Sequence, residues 1–164
     1  MGDVTPSTPV SGSQGVSSLF LREEELRAGM EELFHVWREL SAAGDMILAA
    51  QGLGRAHQRA LYFVGSHPGL VVSDLMMHLG ITKQSLSRVL RRLVDDGLVE
   101  QTTGRHDRRQ RQLRLTPEGY ALEERLTGAQ IDLLARAYRR AGAHAVLGFR
   151  HVLSGVTGAP SPQR

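Results

Sequence analysis

The stretch between Val71 and Gly119 constrains the fold more than any other part of this chain. It contains a short apolar helical pattern, a glycine turn, a second and strongly amphipathic helical pattern, and two strand-like runs around a basic loop. Ser73 and Thr82 are predicted to cap the two helices because their hydroxyls can accept the first unpaired backbone N–H groups. Gly80 suits the left-handed position that follows a helix. Two helices joined by a turn of this length predict a helix-turn-helix.

The residues after this helix pair predict a small two-stranded wing. Strand-like runs cover residues 98–102 and 112–115, and a charged loop over 104–110 joins them. Thr116 and Pro117 then predict the start of another helix, with threonine as its cap and proline at the first position, where a missing N–H costs nothing. The predicted fold class is therefore mainly α with a small β-wing, a winged helix-turn-helix flanked by N- and C-terminal dimerisation helices.

The second helix of the pair divides into an apolar face and a cationic face. Its predicted buried stripe consists of Leu86, Val89, Leu90, Leu93 and Val94. Its outward residues are Lys83, Gln84, Ser85, Ser87, Arg88, Arg91 and Arg92. Nine basic and four acidic residues lie between Lys83 and Arg114, a net charge of +5, whereas the whole chain carries +3. Positive charge is thus concentrated on two neighbouring elements, which favours contact with nucleic-acid phosphates over a merely solvated basic surface.

Apolar helical patterns extend on both sides of this segment. They cover residues 20–50 and 55–66 before it, and 117–140 and 143–153 after it. Their apolar surface exceeds what a compact winged helix needs to bury, which favours a homodimer. The predicted organisation comprises a disordered tail at 1–18, a winged-helix domain at 19–155 (core 53–119, dimerisation helices 20–50 and 117–154) and a flexible tail at 156–164.

The composition limits the remaining classes of function. The chain has no cysteine, which excludes disulfides, thiolate zinc sites and thiol-based sensing within it. It has no apolar run long enough to span a membrane, and its first residues lack the features of a secretory signal, so we expect a cytoplasmic protein. The sequence motifs of phosphate-binding loops, serine hydrolases and zinc proteases are missing, so neither an enzyme nor a bound cofactor is expected.

Three segments of the sequence, in this order and spacing, resemble the MarR family of bacterial regulators. They are ITKQSLSRVLRRLVDDGLVE at 81–100, DRR at 107–109 and LRLTPEG at 113–119, within a resemblance that covers residues 53–119. The stretch GRAHQRALYFVGSHPG is also similar to a smaller alphaproteobacterial branch, the PetP-like regulators. The resemblance implies a dimeric transcription factor, mostly a repressor, that binds palindromic operators in double-stranded DNA. It also implies release of the DNA when a small phenolic or aromatic effector binds.

The same resemblance makes the basic helix the recognition helix. The residues expected to approach bases or nearby phosphates from its first turns are Lys83, Gln84, Ser85, Ser87 and Arg88. Pairing of arginine with guanine or of glutamine with adenine is the chemistry expected there. Arg91 and Arg92 lie further along the helix, where phosphate contact or solvation is expected.

In the wing, the family's Asp-x-Arg element falls on Asp107 and Arg109. The resemblance implies that the aspartate orients the arginine at the wing tip and that the arginine enters the minor groove, where narrow A·T-rich segments attract it. Arg105, Arg108 and Arg111 are expected to contact phosphates.

An effector pocket is expected at the junction of the first, second and fifth helices. Phe34, Trp37 and His57 would line it, and Arg38 or Arg55 would face an anionic group. The alternative places Phe34 and Trp37 in a dimer core and His57 on a helix surface.

Two other functions stay open at this stage. Seven histidines raise the possibility of a zinc-responsive regulator, but they show no close paired spacing, so no metal site is predicted. A winged helix that binds protein rather than DNA is the second alternative, and the basic helix and wing argue against it.

Overall fold

The computed structural model describes residues 19–103 and 110–158. The chain divides into two compact units, with the division after Glu39. The first unit contains a 3-10 turn (Leu19–Leu21) and most of helix α1 (Glu23–Ala42). Three glutamates in the first turn of α1 favour its N-terminus through the helix dipole. The predicted N-terminal tail lies outside the described residues.

Helix α1 is amphipathic, yet its apolar side chains are exposed in the single chain. Phe34 is 66% exposed and Trp37 is 57% exposed. The predicted continuous helix over residues 20–50 is wrong in one respect, because the chain leaves helical geometry at residues 43 and 44. Gly44 packs so closely there that a Cβ atom would lie 3.1 Å from both the Gln58 amide and a methyl group of Leu126.

The second unit contains the helix pair and the wing. Its elements in order are α2 (Asp45–Ala50), α3 (Arg55–Ser66), α4 (Val72–Leu79), α5 (Lys83–Asp95), β1 (Val99–Thr103), β2 (Arg111–Leu115) and α6 (Pro117–Thr157). Helices α4 and α5 are the predicted helix-turn-helix, and β1 and β2 form the predicted wing as an antiparallel pair. The bounds predicted for the helix over residues 55–66 are confirmed.

One apolar core holds these elements together. Leu61 of α3, Leu75 of α4, Leu86 and Leu93 of α5 and Leu113 of β2 are among its fully buried side chains. Burial of each leucine contributes about 2 kcal/mol relative to an exposed position. Helix α5 is therefore fixed by its apolar stripe against α3 and β1, with its opposite face left in solvent.

Two predictions about this region are wrong. Ser73 does not cap α4, because the helix begins at Val72 and the N-cap position belongs to Val71, which has no side-chain hydrogen bond. The Ser73 hydroxyl donates instead to the Asp74 carboxylate at 3.3 Å. Val94 was predicted to be buried but is 38% exposed. By contrast, Gly80 adopts the predicted left-handed conformation, with φ of 62°.

The wing and the final helix are joined by a close backbone approach. In β1 and β2, Val99 pairs with Leu115 at the base of the hairpin. The Thr116 amide then donates to the Leu98 carbonyl at 3.1 Å. The Thr116 hydroxyl caps α6 by accepting from the Gly119 amide at 3.0 Å, as predicted. This capped junction fixes the direction in which α6 leaves the wing.

Helix α6 is interrupted at Gly142, whose φ of 80° and ψ of 164° are not helical. The separation predicted between residues 140 and 143 is thus confirmed, and the helix continues to Thr157. Within residues 19–103 and 110–158, no helix is both long and apolar enough to cross a membrane.

Candidate nucleic-acid interface

Helix α5, the predicted recognition helix, begins with two linked hydroxyl groups. The Thr82 hydroxyl oxygen accepts from the Ser85 amide at 3.3 Å, which is the predicted helix cap. The Thr82 and Ser85 hydroxyl oxygens are also hydrogen-bonded to each other, at 3.1 Å. Thr82 therefore orders both the backbone and the side chain of the first turn of α5.

The predicted DNA-facing residues of α5 lie together on its solvent side. Those that are exposed are Lys83, Gln84, Ser85, Ser87, Arg88, Arg91 and Arg92. In the part of the chain that the structure describes, Lys83, Arg88 and Arg91 form no ion pair. Their positive charges are therefore not neutralised by these parts of the protein, as a phosphate-binding surface requires.

Arg92 differs from the other cations of this helix. Its Nε donates to the Asp96 carboxylate at 2.7 Å, and its Nη2 donates to the Gln51 carbonyl oxygen at 3.1 Å. Gln51 lies in the turn that follows α2, next to Gly52, whose φ is 61°. The Arg92 guanidinium thus ties the end of α5 to this turn.

The wing contributes charge beside the helix. Arg111 at the start of β2 is exposed, and it lines the same groove of about 950 Å³ as Lys83 and Arg91. The floor of the groove includes Val72 and Leu90. The structure therefore brings the loop end of β2 and helix α5 to one continuous surface.

The predicted wing-tip residues are outside this description. Arg105, Asp107, Arg108 and Arg109 lie outside the described residues, so the predicted contact of Arg109 with the minor groove stays a prediction.

The residues predicted for an effector pocket are distributed over both units. In the first unit, Phe34 and Trp37 are exposed, and Arg38 bonds to its neighbour Glu39 at 2.9 Å. In the second unit, Arg55 donates to the Asp45 carboxylate at 2.9 Å. The hydrogen bond from the Arg55 guanidinium lowers the pKa of Asp45 below its ordinary value. An anionic ligand at Arg55 therefore has a carboxylate competitor already in place.

His57 is a half-buried residue at the start of α3. Its Nδ1 accepts from the Gly54 amide at 3.0 Å, so the neutral ring carries its proton on Nε2. Burial lowers the pKa of His57, the Arg92 charge lowers it further, and Asp96 opposes this shift. The neutral ring accordingly accepts a backbone N–H group at the start of α3.

Gln58 is a buried polar residue that the sequence analysis did not single out. It is 6% exposed, and its Nε2 has no hydrogen-bond partner among the described residues. The signal was available in the sequence, because Gln58 lies three residues before Leu61 and so on the buried face of the helix. Within residues 19–103 and 110–158, no group of three or more metal-binding side chains comes together.

Comparison with known proteins agrees with this geometry. A family model described as MarR family matches residues 51–110. The HTH-type transcriptional regulator PetP of Rhodobacter capsulatus is 51% identical over 139 residues, which cover 85% of this chain and 84% of that protein. The predicted resemblance is therefore confirmed for most of the chain, including its PetP-like branch.

Solved structures share the same fold. A MarR family regulator from Silicibacter pomeroyi superposes with a TM-score of 0.66 at 25% identity, over 76% of this chain and 84% of that one. The structure of NadR in complex with 4-hydroxyphenylacetate superposes with a TM-score of 0.67 at 20% identity, over 93% of this chain and 97% of that one. These matches support the mainly helical fold with a two-stranded wing.

Proposed function

Since the chain belongs to the MarR family of transcriptional regulators, we propose that it binds palindromic operators as a homodimer, represses transcription and is released from DNA by a small aromatic effector. The observation that carries the DNA-binding part is the set of exposed cations that line one groove on α5 and the wing, Lys83, Arg91 and Arg111. A duplex laid against this surface receives α5 in its major groove and the wing tip in the adjacent minor groove.

The residues divide into those that read bases and those that fix position. Gln84, Ser85 and Arg88 lie in the first two turns of α5, where side chains reach base edges, and Arg88 is long enough for bidentate pairing with guanine. Lys83, Ser87 and Arg91 are assigned to phosphates or bases at the edge of the contact.

In the wing, Asp107 orients Arg109 toward the minor groove, while Arg105, Arg108 and Arg111 contact phosphates. These assignments follow the family resemblance and the basic charge of the segment.

The dimer is supported by apolar exposure at both ends of the chain. Phe34 and Trp37 on α1, and Val152 and Val156 on the last part of α6, are all more than half exposed. Charge is also complementary, because α1 carries a net charge of −4 while residues 136–151 carry four arginines and no acidic residue. A second copy of this chain offers the matching charge and covers these side chains.

A charge introduced into this apolar surface tests the dimer. Phe34→Glu is expected to give a monomer in sedimentation velocity at micromolar concentration and to lose operator affinity. A variant that stays dimeric contradicts this assignment of the interface.

The effector part rests on the side chains that the sequence analysis expects to contact an effector, which lie in both units. Phe34, Trp37 and His57 supply apolar and ring surface, and Arg38 or Arg55 supplies positive charge. The related NadR structure contains 4-hydroxyphenylacetate, an aromatic acid. If this chain uses the same ligand class, aromatic acids added to the operator complex release the DNA, and Trp37→Ala reduces that release without reducing DNA binding in the absence of ligand.

The central experiment selects bound fragments from random DNA and measures affinity for the selected site. We expect a palindrome with half-sites about one helical turn apart. Arg109→Ala is expected to weaken binding by about 1–3 kcal/mol. A chain that selects no sequence, or that binds equally well without the Arg109 guanidinium, contradicts the proposal.

The recognition helix offers a matched pair of arginines as a control. Arg88→Ala removes an exposed cation with no ion pair among the described residues, so the affinity for the operator falls. If Arg88 contacts a phosphate, the slope of log affinity against log salt concentration (the salt slope) also falls by about one unit. Arg92→Ala removes a guanidinium that Asp96 and Gln51 already hold. Its salt slope is expected to change much less.

A further inference from the structure

We propose that the groove between α4, α5 and the wing binds a free aliphatic anion of the fatty-acid type, and that this ligand competes directly with DNA. The competition rests on the proposed function, because it requires that the duplex occupies the same surface. The groove lies within the second unit and has a volume of about 950 Å³. A groove of this size is within the range of pockets that hold small ligands.

The groove follows α5 along its whole length. The residues of α5 that line it recur at intervals of three and four positions, which is one stripe of the helix. They are Lys83, Leu86, Ser87, Leu90, Arg91, Val94 and Asp95. Between the first and the last of these residues the helix rises about 18 Å. An elongated ligand that lies along α5 therefore fits the groove better than a compact one.

The floor of the groove is aliphatic and partly open to solvent. Val72 and Met76 on α4 are half-buried, and Val94 on α5 is 38% exposed. Apolar surface left in water is unfavourable, and the charged phosphates of a duplex do not cover it as a hydrocarbon does. No aromatic side chain is among the described residues that line the groove, which removes ring stacking as a source of affinity. These properties favour a ligand with an alkyl chain.

The rim of the groove is cationic. Lys83, Arg91 and Arg111 are exposed, and in the part of the chain that the structure describes they form no ion pair. Among the described lining residues Asp95 is the only acid, so the net charge of the lining is +2. An anionic head group is attracted to this rim, whereas a cationic head group is repelled.

The ligand and the duplex require the same cations. A carboxylate bound at Lys83, Arg91 or Arg111 neutralises the positive charge that the proposed function assigns to DNA. The two kinds of binding therefore exclude each other. An effector bound at a separate site behaves differently, because its influence on DNA affinity reaches a limit that the coupling free energy sets.

The first experiment measures binding of dodecanoate to the full chain by isothermal titration calorimetry, below the concentration at which dodecanoate forms micelles. We expect one site per chain. Dodecyltrimethylammonium has the same alkyl chain with a positive head group, and we expect it to bind at least about tenfold more weakly. The apparent dissociation constant of the selected operator should rise at least about tenfold when dodecanoate is present at about ten times its own dissociation constant, and it should keep rising with concentration.

A variant of the groove floor tests the location of the site. Val94→Ser removes apolar surface at a residue with no assigned DNA contact, and about fivefold weaker dodecanoate binding is expected. Its affinity for the operator without dodecanoate should stay within about twofold of the wild type. Met77→Ser is the matched control, because Met77 is 71% exposed on α4 and does not line the groove. It is expected to leave dodecanoate binding unchanged.

Amide chemical shifts of the wild-type protein locate the site without any substitution. Addition of dodecanoate should shift the amide signals of Val72, Leu90 and Gln101, which lie on the three elements that form the groove. The shifts of α1 should stay unchanged.

Three outcomes overturn the inference. In the first, dodecanoate does not bind or binds no better than dodecyltrimethylammonium. In the second, Val94→Ser and Met77→Ser change dodecanoate binding equally, or the amide shifts lie outside the groove. In the third, the dissociation constant of the operator reaches a plateau as dodecanoate increases. A chain that binds dodecanoate in the groove but selects no DNA sequence refutes the proposed function, whereas a chain that selects DNA without binding dodecanoate refutes only this inference.

Discussion

Gly119→Ala tests the close junction between the wing and the last helix. A Cβ atom at residue 119 would lie 2.0 Å from the Leu98 carbonyl oxygen, whereas an ordinary contact of this kind is roughly 3.3 Å. The backbone must therefore move by about 1.3 Å, and the Leu98 carbonyl that moves is the acceptor for the Thr116 amide. Overpacking together with loss of that hydrogen bond is expected to lower the free energy of unfolding by about 3–4 kcal/mol.

The same substitution elsewhere in α6 has the opposite expected sign. A Cβ atom at Gly128 would meet no atom within 4 Å. Because alanine loses less backbone entropy than glycine in a helix, Gly128→Ala is expected to raise the free energy of unfolding by about 0.5–1 kcal/mol. Urea denaturation of both variants gives the comparison, and thermal unfolding should show Gly119→Ala lower by roughly 10 °C. If the free energy of unfolding of Gly119→Ala lies within about 1 kcal/mol of the wild-type value, Gly119 does not approach the Leu98 carbonyl at this distance.

Three further predictions concern the second unit. Burial holds the pKa of His57 below the ordinary 6.5, so its neutral form contributes stability that is present above about pH 6.5 and is lost as the pH falls through the lowered pKa. The free energy of unfolding of the wild type minus that of His57→Gln should therefore decrease between about pH 7 and pH 5. A difference that stays constant over this range contradicts the prediction. Gln58→Met removes a buried amide without a described partner and is expected to stabilise by about 1 kcal/mol in urea denaturation, whereas a loss of stability would mean that the amide is hydrogen-bonded. Thr116→Val removes the cap of α6 together with the bond to the Gly97 carbonyl at 2.7 Å, and we expect a loss of about 1–2 kcal/mol that Thr116→Ser mostly avoids.

Features set by neighbouring residues could be predicted from the sequence. The caps at Thr82 and Thr116 and the left-handed Gly80 depend on hydrogen bonds within one turn, and all three are confirmed. Ser73 had the same local signal, but a distant contact decides that helix start, since Val71 forms a bridge with Gln112 and so keeps an extended backbone. A residue type near a helix start predicts a cap, but pairing with a distant segment can shift the position at which the helix begins.

The recognition surface shows the same division between local and distant information. The periodic pattern places Arg88, Arg91 and Arg92 on the outer side of α5, and the structure agrees. The pattern does not show that Arg92 is held by the Gln51 carbonyl, because that partner is 41 positions away. Val94 was misplaced for a related reason: its position in the helix period favours burial, but it lines the open groove that α4, α5 and the wing form.

The two attachments of α5, at Thr82 and at Arg92, have a thermodynamic consequence for binding. A reading element that is already ordered at both ends loses little conformational entropy when it docks, so its association should lack the large negative heat-capacity change of coupled folding. Helix α5 then adapts little to a DNA site that differs from the preferred sequence. Under the proposed dimeric function, discrimination among related sites then depends on the DNA, because the duplex must bend and twist to bring its two half-sites to a fixed pair of helices.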